Sequence, residues 1–321
     1  MKTKTLLLAL VTTTFSFVAL AQTANAPFRF VAFGDMPYAI PADYAKFERL
    51  IGTISAAKPE YSVFVGDTKS GSSECSDTNM QKILDYFGTF EQPLTYAIGD
   101  NEWTDCHREK AGKFDPLERL AKVRSMFFKD NKSFGKTSMT LERQADVSAH
   151  KQMVENSRWT KNAVVFTSLH IVGSNNGFER NLESISEYFA RDKANVEWIN
   201  NSFEMAAKNN APAVVFAFQA DMDFAQTNAY AVSGYANTIA ALRAGAIAFK
   251  KPILLIHGDS HALMIDNPLF TADGKRLENV TRLMVMGADQ IQAVEVGVNP
   301  SSAGVFSFTP MIVRENLNTV K

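Results

Sequence analysis

FRFVAFGD, residues 28–35, is a short apolar run rich in aromatic and aliphatic side chains that closes on a Gly-Asp pair. Three further runs end in the same way: YSVFVGD at 61–67, PLTYAIGD at 93–100 and ILLIHGD at 253–259. Such runs predict buried strands, so the chain places four carboxylates at four strand C-termini. In open α/β sheets, ligands bind in the crevice beyond those ends. Acidic groups gathered there repel one another unless a multivalent cation neutralises them, so the pattern indicates a metal site.

Segments with helical periodicity separate these runs. The first run is followed by a predicted helix that ends at Lys58-Pro59, and the second by a helix near 77–90 with Asp77 as its expected N-cap. The last part of the chain alternates in polarity without helices, which predicts antiparallel strands. Together these features predict an α/β fold of two stacked mixed sheets flanked by helices. Further helices are expected at about 117–127, 184–208 and 235–249, further strands at about 163–172 and 213–218, and the antiparallel strands at about 282–286, 293–296 and 305–313.

The N-terminus has the layout of a secretory signal peptide. Lys2 and Lys4 precede an apolar stretch that is followed by two small-residue cleavage signals, Ala19-Leu20-Ala21 and Ala24-Asn25-Ala26. Cleavage at the first is favoured, because the second would place Pro27 just after the cut. A retained membrane anchor is the alternative, but a span needs roughly 20 apolar residues and Thr12–Thr14 interrupt this stretch. We expect residues 1–21 to be removed and the protein to be periplasmic or secreted, with no membrane segment in its mature form.

The composition indicates which classes of partner to expect, and the positions of the cysteines bear on whether they form a disulfide. The chain has 33 Lys and Arg against 34 Asp and Glu, a net charge of −1 and no basic block, which argues against nucleic acid or an anionic membrane as the main partner. Cys75 and Cys106 lie in the segments after the second and third Gly-Asp runs. In an oxidising compartment, two cysteines at the same end of neighbouring strands favour a disulfide over two free thiols.

The order of the motifs resembles that of the calcineurin-like metallophosphoesterases. The family's pattern is Asp-x-His, Gly-Asp, Gly-Asn-His-Asp/Glu, a lone strand-end His and Gly-His-x-His. This chain keeps the order and the strand context over residues 28–296, with Gly99-Asp100-Asn101-Glu102 and Gly258-Asp259-Ser260-His261 as its third and last motifs. The resemblance implies a four-layer sandwich in a single domain over residues 27–321, with the less regular stretch at about 104–160 as an insertion. The motifs GDMPY and GDNEWTDC resemble, more narrowly, a divergent exported bacterial branch.

The resemblance also implies a site for two divalent ions. Carried over residue by residue, one ion would be held by Asp35, Asp67 and His261. The second ion's ligands would be Asp67 as a bridge, Asp100 or Asn101, Gln219 and Asp259. The residues that stand where the family has histidine are Pro37, Asn101, Gln219 and Asp259.

These replacements bear on the choice of metal and on the chemistry. Oxygen ligands suit Mg, Ca or Mn, whereas imidazole suits Zn and Fe, so the replacements favour the former group. The resemblance implies hydrolysis of a small phosphomonoester or phosphodiester by a metal-activated water. Asn101 takes the position of the family's leaving-group acid, and an amide cannot serve as a general acid. The candidate catalytic residues are therefore Asn101 itself and the nearest replacements for that acid, Glu102 and His257.

Each feature also has a purely structural interpretation. Gly-Asp at a strand end is often only a turn, because Gly accepts unusual dihedrals and Asp bonds nearby amides. His170 is predicted to be a core imidazole, and Trp103 and Trp198 are predicted to be packing residues. Lys69 and Arg108 are either phosphate contacts or solvated loop cations. Two functions stay open: an exported phosphoesterase, and a catalytically degenerate protein that binds metal or a ligand, which the lost histidines favour.

Overall fold

A computed structural model of the protein describes residues 26–178, 180–224 and 232–317. The predicted signal peptide, residues 1–21, lies outside these ranges. Within them, the chain contains no helix that is long and apolar enough to cross a membrane. The described residues form strands β1 Phe28–Phe33, β2 Ser62–Phe64, β3 Leu94–Tyr96, β4 Glu142–Arg143, β5 Ser157–Lys161, β6 Val164–Ser168, β7 Val214–Ala217, β8 Ile253–His257, β9 Met264–Asp266, β10 Val280–Met284, β11 Ala293–Val298 and β12 Phe306–Met311.

The strands form two mixed sheets. The first sheet has five strands in the order β12-β11-β1-β2-β3, and the second has seven in the order β4-β5-β6-β7-β8-β10-β9. The strands β1, β2 and β3 run parallel, as do β6, β7, β8 and β10. Each parallel set therefore presents its carboxyl ends at one edge of its sheet, where the predicted site residues follow.

One predicted strand direction is wrong. The strand β11 pairs antiparallel with β1 and β12, as expected, but β10 pairs in parallel with β8 and antiparallel only with β9. Alternating polarity tells which side chains share a face, and it carries no information on the direction of the neighbouring strand. The predicted antiparallel strand at 282–286 is therefore corrected to a parallel member of the second sheet.

At β1 both faces of the first sheet are buried, which explains the nearly continuous apolar run of this strand. Successive side chains of a strand point to opposite faces. Phe30 packs between the two sheets with Phe166 and Leu254 of the second sheet, whereas Phe33 packs on the outer face. The core between the sheets and the core under the helices are thus built from alternate residues of one strand.

Helices cover the outer faces of both sheets. The main helices are α1 Tyr44–Ala57, α2 Asp77–Phe87, α3 Pro116–Phe127, α4 Leu182–Lys208 and α5 Ala236–Phe249. The first three pack on the first sheet, and α4 and α5 pack on the second. This confirms the predicted α/β architecture of two stacked mixed sheets flanked by helices. Shorter helical segments are Thr104–His107, Glu109–Ala111, Gln144–Val147, Gly173–Asn176 and Arg314–Asn316.

The N-cap of α2 differs from the prediction. The cap is Ser76, whose side chain accepts a hydrogen bond from the backbone N–H of Asn79. Asp77 is the first helical residue, and its carboxylate pairs instead with Arg119 at 2.7 Å and Lys122 at 2.9 Å. A serine and an aspartate in sequence are both good caps, so their order alone does not decide which one caps the helix.

The stretch predicted as an insertion, 104–160, contributes to both layers. Its helix α3 packs on the first sheet, and β5 pairs antiparallel with β6 and so widens the second sheet. Its first residues, Thr104–His107, form a short helical turn directly after the third Gly-Asp motif.

Candidate metal centre

The ends of β1, β2, β3 and β8 bring the four predicted carboxylates to the junction of the two sheets. Asp35, Asp67 and Asp100 follow strands of the first sheet and are buried, and Asp259 follows β8 of the second sheet and is partly buried. The backbone N–H of Asp259 lies 3.1 Å from each carboxylate oxygen of Asp35. This contact joins the two sheets at the site.

The glycines of the motifs are required because these strand ends pack closely. A Cβ atom on Gly99 would lie 2.1 Å from Oδ1 of Asp67, and one on Gly258 would lie 2.0 Å from Oδ2 of Asp35. The aspartates themselves adopt left-handed backbone, with φ of 52° at Asp35, 55° at Asp67 and 74° at Asp259. Aspartate tolerates this region better than most non-glycine residues, so the backbone alone fits a turn as well as a site. What a set of separate turns does not explain is that Asp35, Asp67 and His261 bring their side chains to one point.

Asp35, Asp67 and His261 form a compact group that we call the Asp/Asp/His cluster. One ligand atom from each residue lies within 4.8 Å of the others. His261 Nε2 is 3.8 Å from Asp35 Oδ1. The two aspartates are buried, whereas 34 % of the His261 side chain is exposed, so solvent reaches the cluster from the histidine side. Two carboxylates and one imidazole are a donor set that can hold a divalent cation.

Tyr38, which the sequence analysis did not single out, contacts the cluster. Its hydroxyl donates to Asp67 Oδ2 at 2.7 Å and lies 3.1 Å from His261 Nε2. The tyrosine and histidine rings meet edge to face, with centroids 5.0 Å apart. The one sequence signal was its place three residues after Asp35 in the first Gly-Asp motif.

Burial and mutual repulsion dominate the electrostatics of the site. Burial raises the pKa of Asp35 well above its usual range, and the carboxylate of Asp259 raises it further. Burial also raises the pKa of Asp67, with Asp100 as the next cause. The pKa of Asp259 rises to about 7 because of burial and the charge of Asp100. Carboxylates in this position ionise readily only when a cation compensates them, so the residues present fit a hard divalent ion.

Asp100 is bound to a loop of the second sheet. Its Oδ2 accepts a hydrogen bond from Ser174 Oγ at 2.8 Å, and Ser174 also lies 2.9 Å from Asp105 Oδ1. Its other oxygen, Oδ1, is buried and has no hydrogen-bond partner among the described residues. Ser174 and Asp105 were not predicted, because nothing in the sequence links the loop after β6 to the third motif.

Asn101 and Glu102 lie beside the cluster in different ways. Asn101 Nδ2 donates to Asp67 Oδ2 at 2.6 Å, so its amide acts as a hydrogen-bond donor to the cluster. Glu102 Oε1 accepts hydrogen bonds from the backbone N–H of Thr68 at 3.0 Å and from Tyr96 Oη at 2.8 Å. Its Oε2 is buried without a partner in the part of the chain that the structure describes. Burial raises the pKa of Glu102, with the hydrogen bond from Tyr96 opposing the shift.

Gln219 and Asp259 lie at the edge of the site toward the second sheet. Gln219 Oε1 accepts a hydrogen bond from the backbone N–H of Gly173 at 2.6 Å. Asp259 Oδ2 accepts one from the backbone N–H of Asp221 at 3.0 Å. A Cβ atom on Gly173 would lie 2.9 Å from both Asp100 Oδ2 and Asp259 Oδ1, so these two carboxylates lie on either side of that glycine.

His257 points into an apolar environment. Its ring stacks on Phe218 with centroids 5.5 Å apart, and its Nδ1 lies 3.0 Å from the carbonyl oxygen of Gly258. Burial lowers the pKa of His257 to about 4, with Asp221 opposing the shift. The imidazole is therefore neutral at neutral pH, and it lacks the additional proton of an imidazolium that a general acid would give to a leaving group.

The predicted disulfide is confirmed. Cys75 and Cys106 are bonded, with Cα atoms 5.7 Å apart, and both side chains are fully buried. The bond joins the loops after β2 and β3. Lys69, in the first of these loops, is only 5 % exposed, so it is not the solvated cation that one sequence interpretation allowed.

Three aromatic or imidazole side chains are core residues, as predicted. Trp103 and Trp198 are each 1 % exposed. His170 is buried and its Nδ1 lies 2.7 Å from Glu155 Oε1.

Comparison with known proteins finds similar solved structures. No protein-family model matches the chain, and no curated protein does so. The similar structures include GAP50, the anchor in the inner membrane complex of Plasmodium, at 10 % identity and a TM-score of 0.49, with 92 % of each chain covered.

Two others are a purple acid phosphatase from yellow lupin seeds and a protein described as a 5'-nucleotidase from Staphylococcus aureus. The first has 12 % identity and a TM-score of 0.48, with 91 % of this chain and 55 % of that chain covered. The second has 11 % identity and a TM-score of 0.49, with 91 % of this chain and 56 % of that chain covered. This chain thus spans about half the length of both proteins. Both belong to the calcineurin-like metallophosphoesterases, the family that the motifs resemble.

Proposed function

We propose that the protein is a metal-dependent hydrolase of small phosphate esters. The observation that carries the proposal is the Asp/Asp/His cluster. It consists of two buried carboxylates with raised pKa and one partly exposed imidazole, at the strand ends of both sheets. Such a group is costly to bury without a cation. Mg, Ca or Mn would suit the carboxylate-rich donor set better than Zn or Fe.

The chain's own residues would bind the ester and hold the cation. A bound divalent cation would supply Lewis-acid activation of water and of the phosphoryl oxygens. Next to the site, a cleft of about 370 Å³ is lined in part by Arg108, Arg180 and Ser174. Arg108 pairs with Asp105 at 2.7 Å and is half exposed, so its guanidinium can also meet an anionic ligand. The cleft suits a small phosphate ester, and the balanced charge of the chain gives no support to a nucleic acid substrate.

Glu102 is the best-supported general acid among the three predicted catalytic residues. Asn101 donates its amide to Asp67, and the neutral His257 faces Phe218. Glu102 has a raised pKa, and its buried Oε2 has no partner among the residues that the structure describes, so a proton can reside on that oxygen.

Export is part of the proposal. Residues 1–21 have the layout of a signal peptide, and the single domain would start near residue 27. The Cys75–Cys106 disulfide supports an oxidising compartment, which for this signal means periplasm or secretion.

Phosphate release tests the activity. The protein should hydrolyse p-nitrophenyl phosphate or bis(p-nitrophenyl) phosphate in the presence of Mn²⁺, and the ratio of the two rates gives the preference for monoesters or diesters. His261→Ala should lose most of the activity, whereas His150→Ala should keep it, because His150 lies away from the cluster and pairs with Glu197 at 2.7 Å. Equal loss in both variants, or no release at any Mn²⁺ concentration, would contradict the proposal.

A catalytically degenerate protein that binds metal or a ligand is the second candidate. The specific observation in its favour is that Asn101, at the position of the family's acid, is a hydrogen-bond donor to Asp67. This candidate predicts metal binding without phosphate release from either ester.

A further inference from the structure

The second-ion position that the family resemblance implies contains two side-chain amides whose orientations are fixed by the protein. Gln219 is the first. The backbone N–H of Gly173, which can only donate, lies 2.6 Å from Gln219 Oε1. The amide oxygen is therefore committed to Gly173, and the –NH₂ group points the other way. An amide –NH₂ is a donor and offers no oxygen lone pair to a hard cation.

Asn101 is the second amide, and it is fixed by an acceptor. Its Nδ2 lies 2.6 Å from Asp67 Oδ2 and 3.1 Å from the hydroxyl of Tyr38. The reverse orientation would place two oxygens against each other. The amide oxygen instead faces Gly71 and Arg108: a Cβ on Gly71 would lie 2.7 Å from Asn101 Oδ1 and 2.4 Å from Arg108 Nη1. It therefore points away from Asp67 and toward the paired side chains of Arg108 and Asp105.

Asp67, the residue that would bridge two ions, has little acceptor capacity left. An ionised carboxylate offers about four lone-pair positions. Three of them are used by the hydroxyl of Tyr38 at 2.7 Å, the amide of Asn101 at 2.6 Å and the backbone N–H of Asn101 at 3.2 Å. One position remains, which serves one cation.

The two remaining carboxylates of the second-ion position are partly used as well. Asp100 Oδ2 accepts from Ser174 and Asp259 Oδ2 accepts from the backbone of Asp221. Positively charged side chains of the protein lie beside Asn101 and Glu102. Arg108 lies against Asn101, and the buried Lys69 lines a small cavity together with Glu102. These side chains therefore supply part of the positive charge that a second ion would supply in a two-ion site.

We infer that the chain binds one divalent cation, at Asp35, Asp67 and His261, and that neither Asn101, whose amide donates to Asp67, nor Gln219, whose amide oxygen is held by Gly173, ligates a second ion. The inference rests on the proposed metal-dependent function. It differs from the family resemblance, which implies two ions per site.

Manganese stoichiometry tests the inference on the unmodified protein. Metal-free protein is saturated with Mn²⁺, passed over a desalting column and assayed for bound manganese, and its electron paramagnetic resonance spectrum is recorded. We expect one ion per chain and the spectrum of isolated Mn²⁺. Two ions per chain with a spin-coupled spectrum would overturn the inference and leave the proposed function intact. No bound manganese would overturn both.

Two alanine variants locate the ion. His261→Ala should lower the bound manganese to well below one ion per chain, because it removes the only imidazole of the cluster. Gln219→Ala should still bind one ion per chain, with a change in affinity of less than tenfold. A loss of metal in Gln219→Ala as large as in His261→Ala would show that Gln219 ligates the ion and would overturn the inference.

Discussion

At the residue scale, Asp67 is central to the candidate metal centre, because it belongs to the Asp/Asp/His cluster and accepts hydrogen bonds from Tyr38 and Asn101. Metal that binds only the folded state stabilises it, by about 2.7 kcal/mol at one hundred times the dissociation constant. Asp67→Ala should therefore lose both the bound metal and the rise in melting temperature that Mn²⁺ causes in the wild type. Calorimetric scans with and without Mn²⁺ measure this difference.

A matched carboxylate provides the control. Asp77 is 56 % exposed and pairs with Lys122 and with the buried Arg119, which keeps Glu118 as a second partner. Asp77→Ala should cost about 0–1 kcal/mol and leave the response to Mn²⁺ unchanged. An equal Mn²⁺-dependent rise in melting temperature in wild type and Asp67→Ala would remove Asp67 from the site.

The residues that the sequence could and could not reveal differ in physical kind. The four Gly-Asp pairs were visible because a strand end is a local pattern, and the closing His261 belongs to one of them. Tyr38 and Ser174 were not visible, because their roles depend on contacts with loops distant in sequence. The orientation of Gln219 depends on Gly173, 46 residues away, and no local pattern encodes it.

At the element scale, the disulfide joins the two loops that carry the second and third motifs. Closing a loop of 31 residues is expected to stabilise the fold by about 2–4 kcal/mol. Exported protein should therefore show no thiol that alkylates before reduction and two that alkylate after it, by intact mass. Reduction should lower the melting temperature and weaken Mn²⁺ binding. Two thiols reactive without reductant would contradict the bond.

A second element-scale prediction concerns the buried contact between α3 and the segment around β5 and β6. Glu155 pairs with Arg124, whose Nε is 3.0 Å away, and with His170 at 2.7 Å. Although burial opposes ionisation, these partners hold the pKa of Glu155 at about 2, below the ordinary value of 4.5. A carboxylate with a lowered folded-state pKa contributes stability that is present above about pH 4.5 and is lost as the pH falls toward about 2.

Urea unfolding between pH 7 and pH 2.5 measures this contribution. The wild type should lose stability steeply below about pH 4.5, and Glu155→Gln should lose less over the same interval because its side chain does not titrate. At pH 7 the variant should be less stable by about 3 kcal/mol, since Arg124 then lacks its carboxylate partner. Parallel pH curves for the two proteins would contradict the assignment.

At the scale of the whole molecule, the layered fold was predictable and the direction of one strand was not. Apolar runs, helix periodicity and strand ends are local, and they led to two mixed sheets with outer helices. The parallel pairing of β10 with β8 depends on which edge of the sheet is free. The free edge is a property of the assembled sheet and not of the local sequence. The hydrogen bonds that orient the site residues are likewise properties of the assembled molecule.

The most direct test of the central claim, that the Asp/Asp/His cluster is a metal centre, is anomalous diffraction from crystals grown with Mn²⁺. Data collected on either side of the manganese absorption edge locate the ion independently of any activity. We expect a strong anomalous difference peak within bonding distance of Asp35, Asp67 and His261. Well-diffracting crystals equilibrated with Mn²⁺ that show no peak at these three residues would contradict this claim.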